Sequence, residues 1–278
     1  MRKRNGDGRL TDRQDLCGTR GAQSGLEADQ AILQVARGAS SAGLQEPTLY
    51  TWHVASLAVR TFLGFVTLLV LLGAGAFIPA WTFNYWQAWL CLAAYLLCSV
   101  GITLYLWKND RGLLERRLRA GPTAETRKAQ QVIIFLANLG FMALFVVSAL
   151  DHRLGWTRVP VAVVILGTIL IMLGFWVEFL AFRVNSFTSA TVEIARDQRV
   201  ISTGPYAVVR HPMYAGGFLL LFGTPLALAS YWGLAVLAAM MPVLLWRLFD
   251  EEKFLARNLA GYEEYRAQVR SRLIPGLF

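Results

Sequence analysis

The chain has 278 residues, of which 55% are hydrophobic and only 16% charged, and it carries a formal net charge of +9. Soluble domains carry roughly 25% charged residues, so this composition excludes an ordinary globular enzyme and points to an integral membrane protein. The basic excess calls for no nucleic-acid partner, because the places where Lys and Arg fall are explained by orientation in a membrane.

Residues 1–46 are rich in Gly, Arg, Asp, Ser and Gln, with nearly balanced charge and no apolar run able to bury surface. They are expected to form a disordered cytoplasmic tail; a weak amphipathic helical pattern occupies 26–37. No apolar core follows the early basic residues as in a signal peptide, and the acidic residues argue against a transit peptide. Crossing about 30 Å of hydrocarbon takes roughly 20 helical residues. Four stretches supply them, at about 56–80, 83–107, 131–150 and 160–182. The loop between the second and third holds Leu113, Leu114 and Leu118 on one helical face, which predicts a short interfacial helix with its arginines pointing elsewhere.

Two shorter apolar runs, 214–229 and 232–249, are separated only by Ser230 and Tyr231, and predict a tight helical hairpin. The expected fold is therefore all-α: a polytopic membrane bundle of about six transmembrane helices, helices 1–4 within 47–184, closing on a C-terminal helical hairpin within 185–278. Six crossings place both termini on one side, and nearly all Lys and Arg lie in the segments assigned to it; only Arg153 and Arg158 fall opposite, and Arg60 can snorkel from the first helix. Both termini are thus expected in the cytoplasm, with a bacterial inner membrane as the expected location. Trp81, Tyr85, Trp86, Trp89, Trp156, Tyr231 and Trp232 form the outer aromatic belt in this reading, and Trp52, Trp107 and Trp246 the inner one. Cys91 and Cys98, seven apart on one face, read as small packing residues, and the scattered His53, His152 and His211 give no ligand spacing, so no metal is expected.

The segment from Gly204 to Gly216 is the richest in chemistry. Gly204, Pro205 and Tyr206 are followed by Arg210, His211, Pro212, Met213 and Tyr214, set against an apolar helix with proline near its first turn. A helix start offers unpaired N–H donors and a partial positive charge, suited to an anionic or carboxylate-bearing ligand. A second group, Arg247, Asp250, Glu251 and Glu252, lies where the last helix leaves the membrane, and the four-residue spacing puts Arg247 and Glu251 on one face. The hairpin returns this group to the surface from which Arg210, His211 and Tyr214 depart, so the two can converge on one pocket. Glu178, about one turn inside the fourth helix, is costly unless it faces a polar cavity or a cation. Arg183 is a poor partner for it on helix geometry, which leaves Arg210 or Arg247 as candidates, or a carboxylate that only snorkels.

With these motifs the sequence resembles the isoprenylcysteine carboxyl methyltransferase family, which includes phospholipid methyltransferases. The likeness rests on Gly204-Pro205-Tyr206, Arg210-His211-Pro212-Met213-Tyr214 and Gly216, the spacing of Arg247, Glu251 and Glu252, and the closing Gly261-Tyr262, Tyr265 and Arg272-Leu273-Ile274-Pro275. It implies that 185–278 is a cofactor-binding region. It also implies S-adenosylmethionine as cofactor, held by Gln198, Val200, Ile201, Gly204, Tyr206, His211, Pro212, Met213, Tyr214 and, at the amino-acid end, Glu251. Arg247, with Glu178, would hold a lipophilic or small amphipathic methyl acceptor drawn from the bilayer, and His211 is a candidate for proton handling. Two departures stand out: Ala260 replaces the usual proline, and 185–197 does not align cleanly. Membrane sterol reductases that use NADPH share an Arg-His-Pro-x-Tyr motif, and a non-catalytic assembly protein could keep the hairpin; these are the alternatives.

Overall fold

A computed structural model of the chain describes residues 56–118, 127–188 and 198–277. The tail 1–46, its pattern at 26–37, Trp52 and most of the poorly aligned segment lie outside the described residues. The main compact unit runs from Arg60 onward; before it only the first turn of the first helix, 56–59, is described.

Among the described residues the structure is helical. Helix α1 is Ser56–Ala80, followed by α2 (Trp86–Asn109), α3 (Arg111–Leu118), α4 (Lys128–Leu154), α5 (Val161–Val184), α6 (Pro212–Ala227), α7 (Trp232–Asn258) and α8 (Tyr262–Gln268), with one 3₁₀ turn at Gly204–Ala207. Five of these, α1, α2, α4, α5 and α7, are long and apolar enough to cross a membrane. Together they make a polytopic helical membrane bundle. The expected sixth span, α6, has 16 residues, about 24 Å at 1.5 Å per residue, which is shorter than the hydrocarbon core.

Helices α6 and α7 do form the expected hairpin. Its reversal is built by Ser230 N–H donating to the Pro225 carbonyl at 2.9 Å and by Ala229 at φ 55°, in the left-handed region that a non-glycine residue enters only under local constraint. The arms splay to different neighbours: α6 lies chiefly along α5, and α7 along α4. On the α5–α6 side the cause is glycine. A Cβ added to Gly174 would lie 2.6 Å from the Gly216 carbonyl oxygen, and one added to Gly223 would lie 2.6 Å from that of Gly167. Both pairs are seven residues apart and run antiparallel, so two backbones touch along two turns, the close approach small residues permit between membrane helices. On the α4–α7 side, Leu144, Leu237 and Met240 pack with Phe141.

The far end of the bundle from α3 and α8 is closed by polar contacts. Buried Asp151 accepts from Ser230 Oγ at 2.6 Å and from Thr157 N and Oγ1 at 2.8 and 2.7 Å. Tyr85 is corrected from an aromatic belt residue to a core residue: it is fully buried, and its hydroxyl donates to the Leu228 carbonyl at 2.6 Å. A buried tyrosine hydroxyl needs such a partner. Trp156 and Trp232, both half exposed, meet edge to face at 5.8 Å, as belt residues do. Cys91 is buried in the core and Cys98 partly so, each as a free thiol, matching their reading as packing residues.

Candidate functional site

At the other end, where α4, α6 and α7 carry their charged turns, a cavity of about 790 Å³ opens between α3, α4, α5, α6, α7, α8 and the segments around residues 185–188 and 198–206. Of the sequence-predicted residues, Glu178, Gln198, Val200, Ile201, Tyr206, His211, Pro212, Met213, Tyr214, Arg247 and Glu251 all line it. Gly204 does not. At φ 59° it starts the 3₁₀ turn, and a Cβ there would stand 3.0 Å from Val184 Cγ1. It shapes the segment that carries Tyr206 and leaves the lining to its neighbours.

The start of α6 is organised differently from the sequence expectation. The N–H groups of Arg210 and His211 donate to the Ser271 and Arg272 carbonyls, each at 3.0 Å, so they are consumed by the tail. Since Pro212 has no N–H, Met213 and Tyr214 supply the first donors of the helix. The Arg210 side chain, 6% exposed, also serves the tail, donating to the Val269 and Arg270 carbonyls at 3.0 and 3.1 Å. Its other terminal nitrogen meets Glu252 at 2.8 Å. Arg272 meets the second Glu252 oxygen at 3.0 Å, and His211 Nε2 lies 3.8 Å from the carboxylate. Glu252 is therefore the anion that closes the C-terminal tail over the base of α6. Arg210 is corrected from a candidate partner of Glu178 to a member of this clamp.

Glu251, one residue earlier on α7, turns into the cavity and accepts from the Tyr214 hydroxyl at 2.6 Å. Arg247 interacts with that same hydroxyl and donates to Gln130 Oε1 at 3.4 Å. The two α7 residues thus do share a face, and a tyrosine of α6 stands between them. Tyr206 is bonded to Asn185, and burial pushes its hydroxyl up to about 12, leaving a neutral O–H across the physiological range. Burial likewise raises Tyr262 and Tyr265; Tyr265 donates to the Tyr206 carbonyl at 2.7 Å, fastening α8 to the 3₁₀ turn.

The sequence reading missed Arg117, Asn138, Asn185 and Arg199, which also line the cavity. Arg117 supplies a cation for Glu178: burial lowers the guanidinium from its ordinary range while the Glu178 carboxylate opposes that shift. Its Cζ sits 5.0 Å over the Phe182 ring. Helix α3 holds it there through buried Leu113 and Leu114 and through Arg116, which donates to the Ser186 carbonyl. The expected interfacial helix is present, but one of its arginines points inward. The leucine pattern could have placed the helix; nothing local could have placed its neighbour. Arg183 stacks near Phe179 instead, at 5.9 Å.

Chemically the cavity combines two carboxylates, several guanidinium groups, tyrosine faces and helix-start N–H donors with an apolar reach lined by Ile134, Ala137, Phe141 and Leu244. Its volume is within the range of small-molecule sites. A ligand with an ammonium group, a soft cation and an aromatic ring would find an anion, aromatic faces and polar donors here, so the residues present fit S-adenosylmethionine.

Comparison with known proteins agrees with this geometry. Over 82 residues the chain is 33% identical to the protein-S-isoprenylcysteine O-methyltransferase of Schizosaccharomyces pombe, a stretch that makes up 27% of this chain and 33% of that protein. The match thus spans about a third of the relative's length. Residues 162–261 match the phospholipid methyltransferase family, from the first turn of α5 to the glycine in front of α8, and take in Glu178, the base of α6, Arg247, Glu251 and Glu252. Residues 162–261 are thus a region similar to the phospholipid methyltransferases, in a chain that also shares a stretch of sequence with an isoprenylcysteine O-methyltransferase.

Proposed function

We propose that the protein is a membrane-embedded methyltransferase that uses S-adenosylmethionine and methylates a lipophilic or small amphipathic acceptor bearing a carboxylate, amine or thiol. The observation that carries this is the meeting, in one cavity, of the α6 base with Arg247 and Glu251 of α7. When bound, the cofactor would supply a methyl group already activated by its sulfonium. Glu251 is the anion for its ammonium end, and the faces of Tyr206 and Tyr214 suit the adenine or sulfonium. Gln198, Val200, Ile201, Pro212 and Met213 contribute backbone and packing contacts. Arg247 positions the acceptor, with Glu178 and its Arg117 partner on the same cavity. A carboxylate acceptor reacts as its anion and needs no base; an amine or thiol must lose a proton, for which His211, Glu251 or Glu178 is the candidate. Because the reaction is an in-line displacement, alignment and exclusion of water are the protein's main tasks.

Calorimetry of the detergent-solubilised chain should give one binding site for S-adenosylhomocysteine and none for NADPH. Binding of NADPH alone would make the protein a reductase, and binding of neither would favour a non-catalytic role. A methyl-transfer screen over prenylcysteine analogues, phosphatidylethanolamine, phenols and small thiols would then identify the acceptor.

The same proposal has the cavity and both termini on the cytoplasmic side of a bacterial inner membrane, a reading supported by the distribution of Lys and Arg. A reporter fused after Leu154 should read as non-cytoplasmic and one at the C-terminus as cytoplasmic; the reverse pattern would move the cavity to the other face.

A further inference from the structure

Gln130 is fully buried in the first turn of α4, where a hydrocarbon side chain of the same size would pack without needing partners. Its amide instead joins two groups of fixed polarity. Nε2 donates to Asp250 Oδ2, and Oε1 accepts from Arg247 at 3.4 Å. A carboxylate can only accept and a guanidinium can only donate, so one orientation of the amide satisfies both. Asp250 is itself held by Arg127, at 2.8 Å in the ion pair and 3.1 Å to the other oxygen.

We infer that Gln130 is a positioning residue: with Asp250 and Arg127 behind it, it aims the Arg247 guanidinium into the cavity without neutralising it. A carboxylate at position 130 would form a salt bridge and cancel the charge on Arg247. The neutral amide, polarised by the Asp250 anion behind it, gives Arg247 a stronger acceptor than an isolated amide would and adds no counter-charge of its own. The four groups form a chain from a surface cation to a cavity cation, and Gln130 is the link that carries no charge. The inference rests on the assignment of Arg247 to the acceptor, yet the placement of the guanidinium can be measured without any acceptor.

The experiment uses the full chain in detergent, with phenylglyoxal as an arginine-selective probe and mass spectrometry reading Arg247 and Arg127 separately. Gln130→Met keeps the volume and removes the acceptor. Arg247 should then react about tenfold faster than in the wild type, as expected for loss of one hydrogen bond to a charged group, while Arg127, still paired with Asp250, keeps its rate. The double exchange Gln130→Glu with Asp250→Asn preserves the packing and reverses the bond between them, so Arg247 should react more slowly than in the wild type. This second protein serves as the test should Gln130→Met fail to fold. An Arg247 rate unchanged from wild type in either folded protein overturns the inference, and so does an equal rise at Arg127 in Gln130→Met, which would mean general loosening. Titration with S-adenosylhomocysteine examines the proposed function separately: its failure in the wild type would sink that reading and leave the reactivity order to decide this one.

Discussion

Glu252→Ala should be the most destabilising single substitution at the base of the bundle, with a loss of about 3–5 kcal/mol, because removing one partner of a buried ion pair leaves the other charge buried and uncompensated. Arg210 and Glu252 are both within a few per cent of full burial. Arg272 and His211 converge on the same carboxylate, and Arg210 carries the carbonyls of Val269 and Arg270 with it. The variant should therefore melt well below the wild type in detergent, and protease should cut first in the released tail. Glu252→Gln, which keeps hydrogen-bonding capacity, should fall between. The exposed pair of Glu263 and Arg266 at 3.1 Å is the control, since surface pairs contribute little and Glu263→Ala should melt like the wild type. Similar melting of Glu252→Ala and Glu263→Ala would show that the clamp does not hold the tail.

Glu251 and Arg247 should separate in function although one helix turn presents them together. Glu251→Ala should weaken S-adenosylhomocysteine by roughly 2–5 kcal/mol, the cost of leaving a partly desolvated ammonium without its anion, by analogy with truncated buried charge pairs. Arg247→Ala should leave that affinity nearly intact and lower turnover, because it removes a cation that positions the acceptor. Both residues meet the Tyr214 hydroxyl of the α6 base, but Arg247 is also tied to Gln130 of α4. Calorimetry and single-turnover methyl transfer on equally folded variants decide it. The same modest loss for both variants in both assays would reduce the pair to a contact that stabilises the helix.

The apolar runs made the helices readable, because hydrocarbon thickness sets a minimum length that composition alone reveals. Their ends were less readable. Helix α4 begins at Lys128 and α7 continues to Asn258, several residues beyond the apolar runs, because Gln130 and Asp250 find partners on each other's helices, Glu252 finds its own in the tail and in front of α6, and the backbone has no reason to stop at the bilayer edge. Convergence of the α6 base with Arg247 and Glu251 was legible, since a two-residue reversal must bring both arms back to one level. The carbonyl partners of Arg210 were not, lying about sixty residues away in a tail with no periodic pattern. Arg117 was hidden for the same reason: its neighbour Glu178 lies on another helix, and the leucine face that places α3 says nothing about which arginine turns inward. Tyr85 looked like a belt residue because aromatic residues cluster at interfaces, whereas its hydroxyl finds buried acceptors on α4 and, at the shorter distance, in the α6–α7 reversal.

The glycine contacts between α5 and α6 also bear on how a ligand can come and go. Most helix interfaces breathe by rotation of side chains, but at Gly167, Gly174, Gly216 and Gly223 there is no side chain to rotate, and parting the helices means separating two backbones along two turns at once. That wall acts as a fixed jamb. The opposite seam is softer: the three atoms nearest to a Cβ at Gly140 of α4 would all belong to the Met240 side chain of α7, and methionine is the most adaptable of the apolar residues. Between the two walls, it is the α4–α7 seam that can yield by a side-chain movement, whereas the α5–α6 wall can yield only by moving backbone.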